Sequence, residues 1–237
     1  SDFSLLTNAC PDAHNIMFFM QLITMIIAFL ASLFNTSPPS PLLNSGERRY
    51  SVATYEVTSA NLVLIPNYLE KKSSKKLIEE NGCTAGINGG FYGEDGKPQG
   101  LVVVNFKQVA NKKTSQLFNG FVWAKNGKLG IDRDAGDNPE YTVQTGPLLF
   151  ESGRQINLQI KNDRSARRMV SAKVANDRTF FLSFYDPNSK LDGPKLADLP
   201  GELAQVAKEK GWEVEWATNL DGGSASSFYS PDITLSE

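Results

Sequence analysis

Histidine and cysteine are scarce in this sequence of 237 residues, which has one histidine, His14, and two cysteines, Cys10 and Cys83. A Ser-His-Asp triad or a Cys-His pair needs a histidine beside the nucleophile, and a histidine-rich zinc site needs several. Because the one histidine lies beside an apolar N-terminal segment, none of these sites is expected in the globular part. Catalysis there must use carboxylates, amides, hydroxyls, Lys or Arg. Cys83 precedes an apolar stretch and is expected to be a buried thiol.

A strongly basic surface is also absent. The chain carries 24 Lys and Arg against 26 Asp and Glu, with no long basic run and no basic face interleaved with aromatic residues. Proteins that bind nucleic acids usually show such a face, so no nucleic-acid partner is expected. Composition does not determine the oligomeric state.

One long apolar segment occupies residues 16–34. A helix of this length nearly spans the hydrocarbon core of a bilayer, which predicts a membrane anchor. A signal-peptide hydrophobic region and a buried core helix are the alternatives. Residues 1–46 are therefore expected to be a hydrophobic segment and a Pro/Ser-rich linker, followed by a globular domain at residues 47–237. The protein is expected to be exported (periplasmic, secreted or membrane-anchored), with membrane association through residues 16–34.

Within the globular part, many short strands and few helices are predicted. Apolar or alternating runs bounded by turn residues indicate the strands, and two of them flank Asn176 and Asp177 as in a hairpin. Helices are predicted at residues 74–82 and 200–210. Because helices and strands do not alternate regularly, the pattern favours an α+β fold with a mixed, mostly antiparallel sheet and a few flanking helices. The apolar segment adds an N-terminal hydrophobic helix to this prediction.

Two polar motifs with paired glycines follow predicted strands. A strand end that delivers Asn or Asp into a glycine bend is a common way to build a polar site on a rigid scaffold. Each motif alone indicates only a turn, whereas the two together predict a site. Its candidate residues are Asn88, Gly89 and Gly90 in the first motif, and Asn219, Asp221, Gly222, Gly223 and Ser224 in the second.

Two further segments contribute candidate residues. Gly146 and Pro147 form another strand-to-turn segment, and Arg164, Arg167 and Arg168 immediately precede a predicted strand. Arginines in such a position are commonly a solvated edge. Beside an Asn/Asp site they predict recognition of an anionic group, because a guanidinium matches a phosphate in a two-pronged geometry.

These segments resemble the phosphodiester glycosidase domain family. The resemblance covers residues 49–229 and is carried, in the right order, by INGGFYGEDGKPQG (residues 87–100), QTGPLLFESG (144–153), RSARRMVSAKV (164–174) and NLDGGSASSF (219–228). Position by position, the family motifs correspond to Asn88, Gly89, Gly90, Gly100, Gly146, Pro147, Arg167, Asn219, Asp221, Gly222 and Gly223. Arg168 is the alternative to Arg167 as the family arginine.

The resemblance implies a hydrolase that cleaves a sugar-1-phosphodiester bond in an exported or surface glycan, such as an exopolysaccharide. Phosphate is a good leaving group, so the second carboxylic acid of an ordinary glycosidase is less necessary. Asp221 is then the base or nucleophile, and Arg167 or Arg168 clamps the phosphate. Asn88 completes the implied catalytic set, and Asn219 holds sugar hydroxyls or the phosphate.

No cofactor is required by this chemistry. Asp221 and the asparagine oxygens offer the hard ligands that a divalent cation such as Ca²⁺ takes, but the sequence does not demand one and predicts no dedicated metal site. Two other functions stay open. One is a non-catalytic carbohydrate- or phosphate-binding module, favoured by residues 169–171, where the family has small residues and glycine. The other is an envelope-polysaccharide assembly protein that keeps the family fold.

Overall fold

The computed structural model describes residues 3–7, 50–57, 62–189 and 191–236. The hydrophobic segment predicted at residues 16–34 lies outside them. The helices are α1 (Ser74–Glu80) and α2 (Leu199–Lys210). The strands are β1 (Phe3–Thr7), β2 (Ser51–Val57), β3 (Val63–Pro66), β4 (Ala85–Asn88), β5 (Val102–Val104), β6 (Lys107–Ala110), β7 (Gly120–Lys125), β8 (Lys128–Asp132), β9 (Tyr141–Thr145), β10 (Leu148–Glu151), β11 (Arg154–Gln155), β12 (Arg168–Val174), β13 (Arg178–Tyr185), β14 (Val214–Asn219), β15 (Phe228–Tyr229) and β16 (Thr234–Leu235).

The strands of the described residues form three sheets. Their orders are β16-β15-β4-β1-β3 in the first sheet, β11-β10-β14-β12-β13-β2 in the second and β6-β5-β9-β7-β8 in the third. The pairings within these sheets are antiparallel. The predicted α+β class, with mostly antiparallel pairing and few helices, is confirmed.

The two helices form where the sequence predicts them. Ser73 caps α1 by accepting a hydrogen bond from the main-chain N–H of Lys76 at 3.3 Å, which satisfies one of the free N–H groups of a helix start. Helix α2 has Pro200 in its first turn and ends at Gly211, whose φ of 66° is left-handed, as is common for glycine after a helix. Within the described part of the chain, neither helix is long and apolar enough to cross a membrane.

The predicted hairpin around Asn176 and Asp177 is also confirmed. Strands β12 and β13 pair without interruption from Arg168 opposite Phe184 to Val174 opposite Arg178. The two turn residues have φ values of 64° and 59°. Left-handed conformations at both central residues match the right-handed twist of the flanking strands, and Asn and Asp tolerate them better than most residues.

The second sheet is buried on both faces because its strands alternate between two hydrophobic clusters. Met169 and Phe181 belong to a cluster that includes residues of the first and third sheets. Val170 and Leu182 belong to a cluster with helix α2. This burial makes the second sheet the central layer, and its strand β14 leads directly to the second glycine motif.

Strand β1 is a feature that the sequence analysis did not predict. Within the first sheet it pairs with β3 and with β4, where Ser4 lies opposite Asn88. The domain boundary predicted at residue 47 leaves this strand outside the predicted domain. Its pairing partners lie about 60 to 80 residues further along the chain, so no local turn or hairpin signal reveals it.

The prediction that Cys83 is a buried thiol is wrong. Cys83 is half-buried and disulfide-bonded. The other cysteine of the chain, Cys10, lies outside the described residues. Disulfides persist mainly in oxidising compartments. The prediction of a thiol did not consider that the protein could fold in such a compartment.

We expect Leu203→Ala to destabilise the protein by roughly 2–5 kcal/mol, the range for removing a large aliphatic side chain from a core. Leu203 is fully buried between α2 and the second sheet. Urea unfolding followed by circular dichroism measures the change. The control Gln205→Ala, on the exposed face of the same helix, should shift stability by less than about 0.5 kcal/mol; equal effects would contradict this packing.

Candidate active site

The two glycine motifs meet because the strands that lead to them end at the same place. Asn88 is the last residue of β4 and Asn219 the last residue of β14. The main-chain N–H of Asp221 donates to the carbonyl of Gly89 at 3.0 Å. The second motif thus packs directly on the first, although about 130 residues separate them.

The side chain of Asn88 joins the two motifs. It is 1% exposed. Its Nδ2 donates to the carbonyl of Asp221 at 2.8 Å, and its Oδ1 accepts from the N–H of Ser227 at 2.9 Å. Both ends of the amide therefore hold the main chain of the second motif in place.

Arg167 lies fully buried behind the second motif. Its Nε donates to the hydroxyl of Ser226 at 2.6 Å. Its Nη2 donates to the carbonyl of Ser226 and, at 2.6 Å, to that of Ser236. The guanidinium thus connects the start of β12 to the chain on either side of β15 and β16.

Glycine is required in the motifs because other main-chain groups approach closely. A Cβ on Gly90 would lie 2.7 Å from the side chain of Val143 and 2.9 Å from the carbonyl of Gln144. A Cβ on Gly222 would lie 2.7 Å from the carbonyl of Arg167. Such distances are shorter than van der Waals contact, so a larger residue would push the segments apart.

The Gly146 turn holds Asn219. The N–H of Gly146 donates to the carbonyl of Asn219 at 3.0 Å, and its carbonyl accepts from Asn219 Nδ2 at 3.0 Å. The hydroxyl of Thr145 donates to the same Asn219 carbonyl at 2.8 Å. The turn therefore fixes the orientation of the Asn219 amide, because its Nδ2 is bound to the Gly146 carbonyl.

A cleft of about 340 Å³ opens beside these residues. Of the predicted site residues it includes Arg168, Asn219, Asp221, Gly222 and Gly223, but not Asn88, Gly89, Gly90, Gly146, Arg167 or Ser224. Ser224 is exposed. The lining residues are Phe91, Ile160, Asn162, Asp163, Arg164, Ala166, Arg168, Leu196, Asn219, Asp221, Gly222 and Gly223.

Two polar residues of the motifs, Asn219 and Asp221, line the cleft. The carboxylate of Asp221, a half-buried residue, accepts the N–H of Gly222 at 2.8 Å through Oδ1. Asn219 is 2% exposed, and its Oδ1 accepts no hydrogen bond from the described residues. This oxygen is enclosed by protein, and a buried acceptor without a donor is unfavourable.

The arginine side of the cleft contains an ion pair. Arg168 Nη2 lies 3.4 Å from Asp163 Oδ1 and donates to the carbonyl of Arg164 at 2.6 Å, while its Nε donates to that of Pro194 at 3.0 Å. Burial lowers the pKa of the Arg168 guanidinium, and the charge of Asp163 opposes that shift. These contacts hold Arg168 in the wall of the cleft.

Asp163 and Phe91 are cleft residues that the sequence analysis did not single out. The Asp163 carboxylate also accepts the N–H groups of Leu196 and Ala197, at 3.0 and 2.8 Å. These partners lie 33 and 34 residues further along the chain, so no local sequence pattern identifies Asp163 as a residue of the cleft. The ring of Phe91 packs on that of Phe118 at 4.9 Å between centroids; its position directly after Gly90 was the available signal.

No group of three or more His, Cys, Asp or Glu residues that could hold a metal ion occurs within the described ranges. The divalent cation considered from the sequence stays a prediction.

Comparison with solved structures shows the fold. The catalytic domain of zebrafish N-acetylglucosamine-1-phosphodiester alpha-N-acetylglucosaminidase, auto-inhibited by its pro-peptide, superposes with a TM-score of 0.55 at 14% identity. The alignment covers 80% of this chain and 76% of the zebrafish one. A hypothetical protein from Synechocystis matches with a TM-score of 0.45 and 14% identity over 79% of this chain and 54% of that one.

The chain belongs to the phosphodiester glycosidase family, whose model matches residues 81–235. The resemblance stated from the motifs is thereby confirmed. A tRNA dimethylallyltransferase from Nocardia farcinica (strain IFM 10152) is 27% identical over 100 residues, which are 40% of this chain and 32% of that protein. The match to this curated relative thus spans about a third of the relative's length.

We expect Asn88→Ala to lower the free energy of unfolding by roughly 2–4 kcal/mol, because the half-buried Asp221 carbonyl and the buried Ser227 N–H each lose a partner. Chemical denaturation measures the loss. The control Asn188→Ala, at an exposed turn, should change stability by less than about 0.5 kcal/mol. An Asn88→Ala protein as stable as the parent would show that the amide does not hold the two motifs together.

Proposed function

We propose that this protein hydrolyses a sugar-1-phosphodiester bond in an exported or surface glycan. The observation that carries the proposal is the cleft in which the Asp221 carboxylate, the Asn219 amide and two arginines come together, in a chain of the phosphodiester glycosidase family. Such a site offers a group to attack or activate water, an acceptor for a sugar hydroxyl and positive charge for a phosphate.

The chemistry needs only residue types that are present. A water oxygen bonds to the anomeric carbon, the bond from that carbon to the phosphate oxygen breaks, and the phosphate monoester leaves with the electron pair. As general base, Asp221 takes the water proton. As nucleophile, its carboxylate bonds to the anomeric carbon first, and water then releases the sugar. The leaving phosphate needs little proton donation, which accords with described residues that contain no histidine.

The remaining motif residues support this centre. Asn219 contacts the sugar, since this residue lines the cleft together with Asp221. Two side chains position the loop that carries Asp221. That of Asn88 binds the Asp221 carbonyl, and that of Arg167 binds Ser226 a few residues later. Their predicted catalytic roles are therefore replaced, in our proposal, by positioning roles.

The zebrafish relative is named for N-acetylglucosamine 1-phosphodiesters, so these are the first substrates to test. An exported location is supported by the disulfide at Cys83, since disulfides are rare in reducing compartments. Membrane association through residues 16–34 stays a prediction.

We expect Asp221→Asn to lower kcat by roughly a hundredfold or more, because the amide neither takes a proton nor attacks carbon. Sugar release from a panel of N-acetylglucosamine 1-phosphodiesters measures turnover by the whole chain. Affinity for the substrate should change much less, since the Oδ1 that accepts the Gly222 N–H is retained.

Asp137→Asn is the matched control, since Asp137 is exposed and does not line the cleft. It should hydrolyse at the rate of the parent. A folded parent that binds these diesters without hydrolysing any of them would contradict the proposal and favour a carbohydrate- or phosphate-binding module. Hydrolysis that is unchanged in Asp221→Asn would remove Asp221 from the centre of the mechanism.

A further inference from the structure

The three arginines at the start of β12 differ in how far their side chains are exposed. Arg167 is fully buried, Arg168 is half-buried, and Arg164 is exposed. We infer that Arg164 is the residue that contacts the phosphate of the substrate. The inference rests on the proposed function and assigns its anion-binding residue, for which the family resemblance implied Arg167 or Arg168.

Arg167 is badly placed for an incoming phosphate. It is fully buried and does not line the cleft. Its Nε and Nη2 already donate to Ser226 and Ser236. Turning this guanidinium toward a ligand would break those hydrogen bonds, including the ones to the fully buried Ser226, which is costly.

Arg168 lines the cleft but is similarly engaged. Its Nε and Nη2 donate to the carbonyls of Pro194 and Arg164, and Asp163 lies beside it as an ion-pair partner. The Asp163 charge offsets that of Arg168 as seen from the cleft. Arg168 therefore shapes the wall and contributes little net positive charge.

Arg164 has the opposite properties. Its side chain is exposed and lines the cleft, and within the described residues its guanidinium forms no hydrogen bond and no ion pair. Its main chain is held by Arg168 Nη2 at 2.6 Å. The guanidinium is thus available for a ligand while its attachment point is fixed, which reduces the ordering cost of binding.

The acidic residues of the cleft also favour such a group. Asp221 is an acidic residue of the lining, and Asp163 is balanced by Arg168. A phosphodiester that binds among these carboxylates is stabilised by a cation that has no other partner among the described residues. A guanidinium binds phosphate oxygens with two parallel N–H groups, so the phosphate lies at Arg164 and the sugar lies toward Asn219 and Asp221.

The test compares binding and turnover in the whole chain and in Arg164→Gln, Arg164→Lys and Lys161→Gln. Lys161 is exposed, lies three residues away and does not line the cleft, so Lys161→Gln controls for the loss of one positive charge. Calorimetry measures affinity for N-acetylglucosamine 1-phosphate, for inorganic phosphate and for the uncharged methyl N-acetylglucosaminide. Thermal unfolding checks that every variant is folded.

We expect Arg164→Gln to weaken binding of the two phosphate-bearing probes by roughly tenfold or more, as for loss of a charged hydrogen-bonded contact. Arg164→Lys should fall between Arg164→Gln and the parent, because the ammonium keeps the charge without the fork. Affinity for the uncharged glycoside, and all affinities of Lys161→Gln, should stay near those of the parent.

Equal affinity of the parent and Arg164→Gln for the phosphate-bearing probes would overturn the inference. So would a parent that binds those probes no more tightly than the uncharged glycoside. A parent that binds phosphate through Arg164 but hydrolyses no diester would instead contradict the proposed hydrolysis and leave this inference standing. Hydrolysis with a KM unaffected by Arg164→Gln would retain the function and remove Arg164 from it.

Discussion

The rest of the site depends on the hydrogen bonds of one buried amide. Asn88 donates to the carbonyl of Asp221 and accepts from the N–H of Ser227, so it fixes both sides of the loop between them. Since a buried amide is favourable only when its polar groups are paired, the two motifs fold as a single unit. The position of the Asp221 carboxylate is thus determined by the end of a strand in a different sheet.

A buried guanidinium extends the same principle. Arg167 donates to Ser226 and Ser236, and thereby joins β12 to the segments around β15 and β16. A buried cation is tolerated only with several hydrogen-bond partners. The motif residues therefore divide into those that hold loops, Asn88 and Arg167, and those that face the cleft, Asn219 and Asp221. This division is the basis for assigning different roles to chemically similar residues.

Elements with local signals were predictable from the sequence. The β12–β13 hairpin follows from Asn176 and Asp177, which adopt left-handed φ at low cost, and helix α2 follows from its periodic apolar face and Gly211. Strand β1 was not predictable, because its partners are distant in the chain. The disulfide at Cys83 was not predictable either. The sequence around a cysteine that precedes an apolar stretch does not distinguish a thiol from half of a disulfide.

By itself, the sequence determined the antiparallel α+β class, the family and the motifs from which the site is built, because turn chemistry, periodicity and motif order are local properties of the chain. Only the tertiary structure decided which motif residues face the cleft. Burial and hydrogen-bond partners are set by distant segments: Arg167 and Arg168 are adjacent in sequence, yet one binds the chain near β15 and the other the loop before α2. The place of Asp163 in the cleft was also decided by the tertiary structure. Its carboxylate is held by the N–H groups of Leu196 and Ala197, which belong to a segment that no local pattern connects to Asp163.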